Sequence, residues 1–223
     1  MADYIDRQIL FQAYVHVDPS NFGAEDEESL RETIKDFIQK RAEFFIGVDV
    51  ETEILFEDGS LKIKASLYTS IAVAIINAIS IYGGFRSGVD YLASDGKSLS
   101  NATVLECLFQ TKCHHNETIH TEARIGVIGQ IKRVNNLIER IQFDLPTVDA
   151  ELSLKRMDRL SDEIRRLRLN INDQEDVDFV SMHIRFEVDA LLPKDAPKNF
   201  VVKGLARKYD LGRQIILDAL AGL

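Results

Sequence analysis

The stretch from Phe44 to Phe85 constrains this chain most, because a hairpin signal runs directly into 21 residues without a charge. The run 48-VDVETEILFEDGSLKIKASL-67 alternates. Val48, Val50, Thr52, Ile54 and Phe56 point one way, answered by Leu61, Ile63, Ala65 and Leu67 on the returning arm. Asp58-Gly59 stands where a two-residue turn needs positive φ. The expected register pairs Phe56 with Leu61 and Ile54 with Ile63 on one face, and Glu53 with Lys64 on the other. The uncharged segment 65-ASLYTSIAVAIINAISIYGGF-85 is too apolar for an ordinary surface helix. It suits a core helix, a face buried by self-association, or a membrane span. Ala65 to Leu67 belong to the strand, which leaves about 17 residues, the lower end of what crosses a bilayer.

Around this centre the apolar spacing predicts a strand over 9–17, with Phe11, Ala13, Val15 and Val17 on one face. A helix follows from about Glu25 to Phe44, with Leu30, Ile34, Phe37, Ile38, Arg41 and Phe45 recurring at three and four. Four acids, Glu25 to Glu28, open it in keeping with the helix dipole, and Gly47 ends it. The order β-α-β-β-α is the first five-sixths of a ferredoxin-like unit. The next strand expected is 179-FVSMHIRFEV-188, where Met182, Ile184, Phe186 and Val188 alternate with Ser181, His183, Arg185 and Glu187; it either returns to close the sheet or starts a separate small unit.

Between these, 89-VDYLASDGKSLS-100 reads as a short helix and a loop, and Ser100 or Asn101 as the cap of a helix reaching about Cys113. Val127, Ile131, Val134, Ile138 and Ile141 fall at 4-3-4-3 spacing up to the stop at Asp144-Leu145-Pro146. Leu154, Met157, Leu160, Ile164 and Leu167 build the next helix, so the two read as an antiparallel αα-hairpin. A proline-bearing linker, 193-PKDAPKN-199, precedes two short helices, the last running from about Gly212 to Leu220. The expected architecture is therefore α+β: a ferredoxin-like sheet with a helical-hairpin insertion and C-terminal helices. Its expected divisions are 1–97 (sheet domain), 98–170 (helical insertion) and 171–223 (returning strand and final helices).

Forty-five per cent apolar and 28 per cent charged residues describe a folded chain rather than a disordered one. A net charge of −9 argues against a general nucleic-acid binder. The N-terminal MADYIDRQIL has no apolar signal core. Cys107 and Cys113, six apart on one expected helix, point in different directions, so a mutual disulfide is not expected and a reducing cytoplasm is the simplest home.

Four features have residue types suited to chemistry or binding. Cys113, His114, His115, Glu117 and His120 concentrate metal-capable side chains, but their spacing supplies no paired ligand motif. No metal or cofactor is expected. The alternative enzyme reading is a small metal-dependent hydrolase or nuclease using His114, His115, Glu117 and His120, with acid–base work for His115, Glu117 and His120. Y-G-G-F-R-S-G at 82–88 is neither a P-loop nor a dinucleotide fingerprint and reads as a helix end. Arg86 and Asp90, four apart, can pair across one turn or meet a partner. Lys155, Arg156, Arg159, Arg165, Arg166 and Arg168 outnumber the acids of Glu151–Arg168, a patch for an acidic partner or nucleic acid, with Arg159 and Arg166 as candidate contacts. The fourth is the uncharged run, whose membrane reading makes the chain an effector that inserts 65–85.

The segments 57-EDGSLKIKASLY-68 and 81-IYGGFRSGVDYLASDGK-97 resemble small uncharacterised bacterial proteins and the effector-associated, adaptor-type α+β domains of bacterial conflict systems. The resemblance covers residues 45–97 and implies assembly or signalling in antiphage defence rather than catalysis. It transfers no functional residue. The expected function is a non-catalytic intracellular interaction or assembly subunit, with a protein partner or a second copy on its surface.

Overall fold

The computed structural model describes residues 9–18, 24–48, 50–57, 61–113, 117–146 and 150–221. The chain forms two compact units, Met1–Gly129 and Gln130–Leu223. The first contains β1 (Ile9–Val17), α1 (Ala24–Ile46), β2 (Glu51–Glu57), β3 (Leu61–Tyr68), α2 (Ile71–Tyr82), α3 (Phe85–Gln110) and β4 (Thr118–Arg124). A fourth helix, α4 (Gly126–Asp144), starts there and continues into the second unit, which adds α5 (Ala150–Leu169), α6 (Gln174–Leu191), α7 (Lys198–Val202) and α8 (Ala206–Ala221). The fold is mixed α+β. The division falls after β4, whereas the sequence suggested boundaries at 97 and 170.

The four strands form one sheet in the order β2-β3-β1-β4, and every neighbouring pair is antiparallel. The alternation read from the sequence sorts the faces. Phe11, Ala13, Val15 and Val17 of β1, Ile63, Ala65 and Leu67 of β3, and Ile54 of β2 are all buried. In α1 the buried residues are Leu30, Ile34, Ile38, Ala42 and Ile46, one every fourth position. Arg41, the one residue that interrupts the apolar stripe, is exposed and lies over the Phe37 ring at 5.1 Å. The helix ends at Gly47, whose φ of 68° favours glycine.

The hairpin register differs from expectation by two residues. Phe56 pairs with Ile63, Ile54 with Ala65, and Leu55 rather than Glu53 with Lys64. A slip of two preserves the side-chain parity, so each residue keeps its expected face. The Asp58-Gly59 turn lies outside the described residues.

Three expectations are corrected. Residues 179–188 are not the closing strand; they lie inside α6. Asp173 caps that helix by accepting the Asp176 N–H at 3.0 Å. Val177, Val180, Ile184 and Val188 recur at 3-4-4 and are buried, while Met182 and Phe186 of the supposed strand face are exposed. The helical period fits the buried residues, and the alternation of apolar and polar residues in this short run is coincidental. The fourth strand is instead β4, in the segment TIHTEAR. An edge strand with a polar outer face needs few apolar residues, so it left a weak signal.

The second correction concerns α3, which runs unbroken for 26 residues through the expected loop. Ser100, the expected cap, is fully buried in mid-helix. Gly96 is held by packing on Phe11 rather than serving as a turn. Cys107 lies in α3 and Cys113 beyond its end, so the two do not share one helix. Third, the last helix begins at Ala206, not Gly212. Gly204, at φ 69°, marks the break, and Gly212 is buried in α8 with its Cα side against Met157 of α5.

In the second unit α4 and α5 form the expected antiparallel hairpin. Asp144 at the end of α4 pairs with Arg156 near the start of α5, and Asn170 donates to Gln130 Oε1 at 2.9 Å at the other end. Ile131, Val134, Ile138 and Ile141 are buried, as are Met157, Leu160, Ile164 and Leu167. α5 lies against α8, where Tyr209 and Ile216 are fully buried.

Candidate interaction surfaces

The uncharged run divides between β3 and α2. Ser70 starts α2 by accepting the Val73 N–H at 3.3 Å, and Gly83 ends it in the left-handed region. Its inner face buries Ile71, Ala74, Ile75 and Ala78. Asn77, a polar residue in an apolar helix, donates through Nδ2 to the Ile46 carbonyl at 2.6 Å, which satisfies the C-terminal turn of α1. The outer face is open. Val73 is 49%, Ile76 52% and Ile81 62% exposed.

An exposed aromatic pair stands at the α2–α3 bend. The rings of Tyr82 and Tyr91 stack with centroids 4.1 Å apart, and both remain exposed. Asp95 lies behind them. Burial pushes its carboxyl above the ordinary value, against a hydrogen bond from Tyr82 that lowers it. No single helix among the described residues is long and apolar enough to cross a membrane; α2 and α3 meet that test only together, across a 106° bend.

Arg86 and Asp90 stand on the first turns of α3, half-buried, and each interacts within the protein. Arg159 and Arg166 belong to the second unit, exposed on α5. Arg166 lies 3.6 Å from Glu163, and Arg165 3.2 Å from Asp162. Arg156 is engaged with Asp144, and Arg168 donates to the Ala219 carbonyl at 3.3 Å. The charge run of α5 is thus largely knitted into its own unit.

His114 and His115 lie outside the described residues. Glu117 precedes β4, and His120 lies on β4 rather than in a helix junction. His120 is opposite His16 of β1, its ring 5.8 Å from Tyr14 and its Nε2 3.8 Å from Glu122. The Glu122 carboxyl is held below its ordinary value, chiefly by the hydrogen bond from Arg124 at 2.6 Å. Among the described residues no three His, Cys, Asp or Glu side chains converge as metal ligands. Cys107 and Cys113 are free thiols, and burial pushes Cys107 up to about 12, so it is protonated and unreactive.

No protein-family model, curated protein or solved structure matches this chain.

The surface residues that sequence reasoning missed are those of α6. Met182 and Phe186 read there as a strand face together with Ile184 and Val188, and only the 3-4-4 spacing of Val177, Val180, Ile184 and Val188 distinguishes their helix.

Proposed function

We propose that this chain is a non-catalytic assembly subunit that joins to a second copy of itself through the outer face of α2. One observation carries this reading: α2 has no charged residue, yet Val73, Ile76 and Ile81 stay exposed. Val73 and Ile76, three positions apart, are neighbours on that face, and exposed apolar area is what binding surfaces present. A chain of net charge −9 repels its own copies over most of its surface. The uncharged α2 face is where two copies approach with least repulsion and with apolar area to bury.

The same reading takes the first unit as ferredoxin-like. β1 and β2 are each antiparallel to β3, so they run in one direction with β3 inserted between them, the arrangement of a split β-α-β unit. α2 and α3 together occupy the place of the second helix before β4. That scaffold holds the α2 face on a rigid support. The antiphage setting implied by the resemblance over 45–97 fits an assembly role and contributes no residue to the argument.

The test is the mass of the purified chain by light scattering across a concentration series, beside Val73→Glu and Ile76→Glu. The expected result is a self-associated wild type and loss of that contact in both variants, with helix content unchanged. A wild type that stays monomeric, or variants that keep its mass, would overturn the reading.

A further inference from the structure

We infer that the outer face of α6 is a second, two-fold self-association surface, in which α6 packs antiparallel on α6 of another copy with Met182 at the axis. This rests on the assembly reading above but on different residues, in the other unit. Met182 is 59% and Phe186 72% exposed, next to the half-buried Phe179, whose ring meets His183 edge-on at 4.6 Å.

The identity of the occupant follows from the pattern. On a helix of about 3.6 residues per turn, Phe179 and Phe186 fall on one side of Met182, and Asp178 and Arg185 on the other. A two-fold axis perpendicular to the helix through Met182 reverses height and keeps the side. At about 1.5 Å per residue, Arg185 stands about 4.5 Å above Met182, and Asp178 of the second copy reaches about 6 Å on the same side. The pairing therefore sets Arg185 against Asp178 twice, and Phe186 against Phe179 twice.

An isologous contact requires just this self-complementarity, in which one patch meets itself with each residue finding its counterpart. A generic apolar stripe would not place opposite charges at matching heights. The next charges outward, Glu175 and Asp189, also meet across the axis. Of these, Asp189 is already held by Arg213 of α8 at 2.6 Å, which removes most of the like-charge repulsion.

The α2 contact belongs to one unit and the α6 contact to the other, and they share no residue. Charge reversal tests the pairing on the full-length chain. Asp178→Arg alone sets two arginines together, Arg185→Asp alone sets two aspartates together, and the double variant restores opposite charges. The expected result is that each single change weakens association at least tenfold in dissociation constant by analytical ultracentrifugation, and that D178R/R185D recovers most of it. Circular dichroism checks that α6 stays folded, and Met182→Lys gives an independent disruption at the axis.

The two interfaces separate in the same experiment. If the α2 changes lower the mass of the assembly and the α6 changes do not, the α6 contact is overturned and the assembly reading stands. If the α6 changes lower it and the α2 changes do not, the α2 contact is overturned and the α6 pairing stands. A double variant that fails to recover association would overturn the Arg185–Asp178 pairing.

Discussion

Phe11 of β1 occupies the space into which a side chain at Gly96 of α3 would project: a Cβ placed on Gly96 falls within the Phe11 ring. The glycine therefore sets how closely α3 lies on the central strand. Gly96→Ala is expected to force strand and helix apart, at a cost at the upper end of the ~1–3 kcal/mol typical of overpacking. Phe11→Leu in the same chain relieves the clash, so the double variant should be more stable than the sum of the single losses predicts. Urea unfolding checks this, and an unchanged midpoint for Gly96→Ala would refute the close packing.

The bond from Asn77 to the Ile46 carbonyl joins the end of α1 to α2, and Gly47 fits beneath the Asn77 amide at positive φ. Asn77→Ala leaves that carbonyl without its side-chain donor and is expected to destabilise the first unit by ~1–3 kcal/mol. Gly47→Ala is strained by its backbone angle and crowds the same amide. Both variants should lower the thermal midpoint, whereas Ala72→Ser on the same helix should leave it within a degree or two.

How much of this was legible in the sequence depends on which residues had to meet. β1, β2 and β3 were, because their alternation is local and a register slip of two does not disturb it. α4 and α5 were, because their apolar spacing spans many turns. Asp95-Gly96 looked like a loop because glycine in a helix is unfavourable in isolation, and only contact with Phe11, 85 positions away, makes it necessary. The segment 179–188 satisfied the alternation of a strand and the spacing of a helix at once, and burial of Val180 within it and of Val177 upstream decided between them. The α2 surface was visible as a lack of charge. Which of its residues face outward was not, since that depends on where α1 and α3 lie.

Alkaline pH should loosen both units. Burial raises the Cys107 thiol from its ordinary 9.0 to about 12 and the Tyr209 hydroxyl from 10.0 to about 12. In each case the folded state favours the protonated form, so the contribution is complete below pH 9 and is lost as pH rises from there through 12. The thermal midpoint should therefore fall progressively above pH 9. Tyr209→Phe removes the bond to the Pro193 carbonyl, 2.7 Å long, at a cost of ~1 kcal/mol, and should flatten the fall above pH 10. A midpoint constant to pH 11 would contradict the burial of both groups.

Asp144 closes α4 with a negative charge at the end of the helix that disfavours one, and its side chain is only 9% exposed. The guanidinium of Arg156, itself 24% exposed, compensates it across the hairpin turn. Arg156→Ala strands a nearly buried carboxylate and is expected to cost ~3–5 kcal/mol, the range for breaking such a pair from one side. Replacing both partners, as Asp144→Leu with Arg156→Met, removes the charges together and should recover most of that loss, because neither desolvated ion remains. Guanidinium unfolding of the two single variants and the double variant measures the difference. Should the double variant unfold as readily as Arg156→Ala, the loss would belong to packing of the arginine stem rather than to the stranded charge.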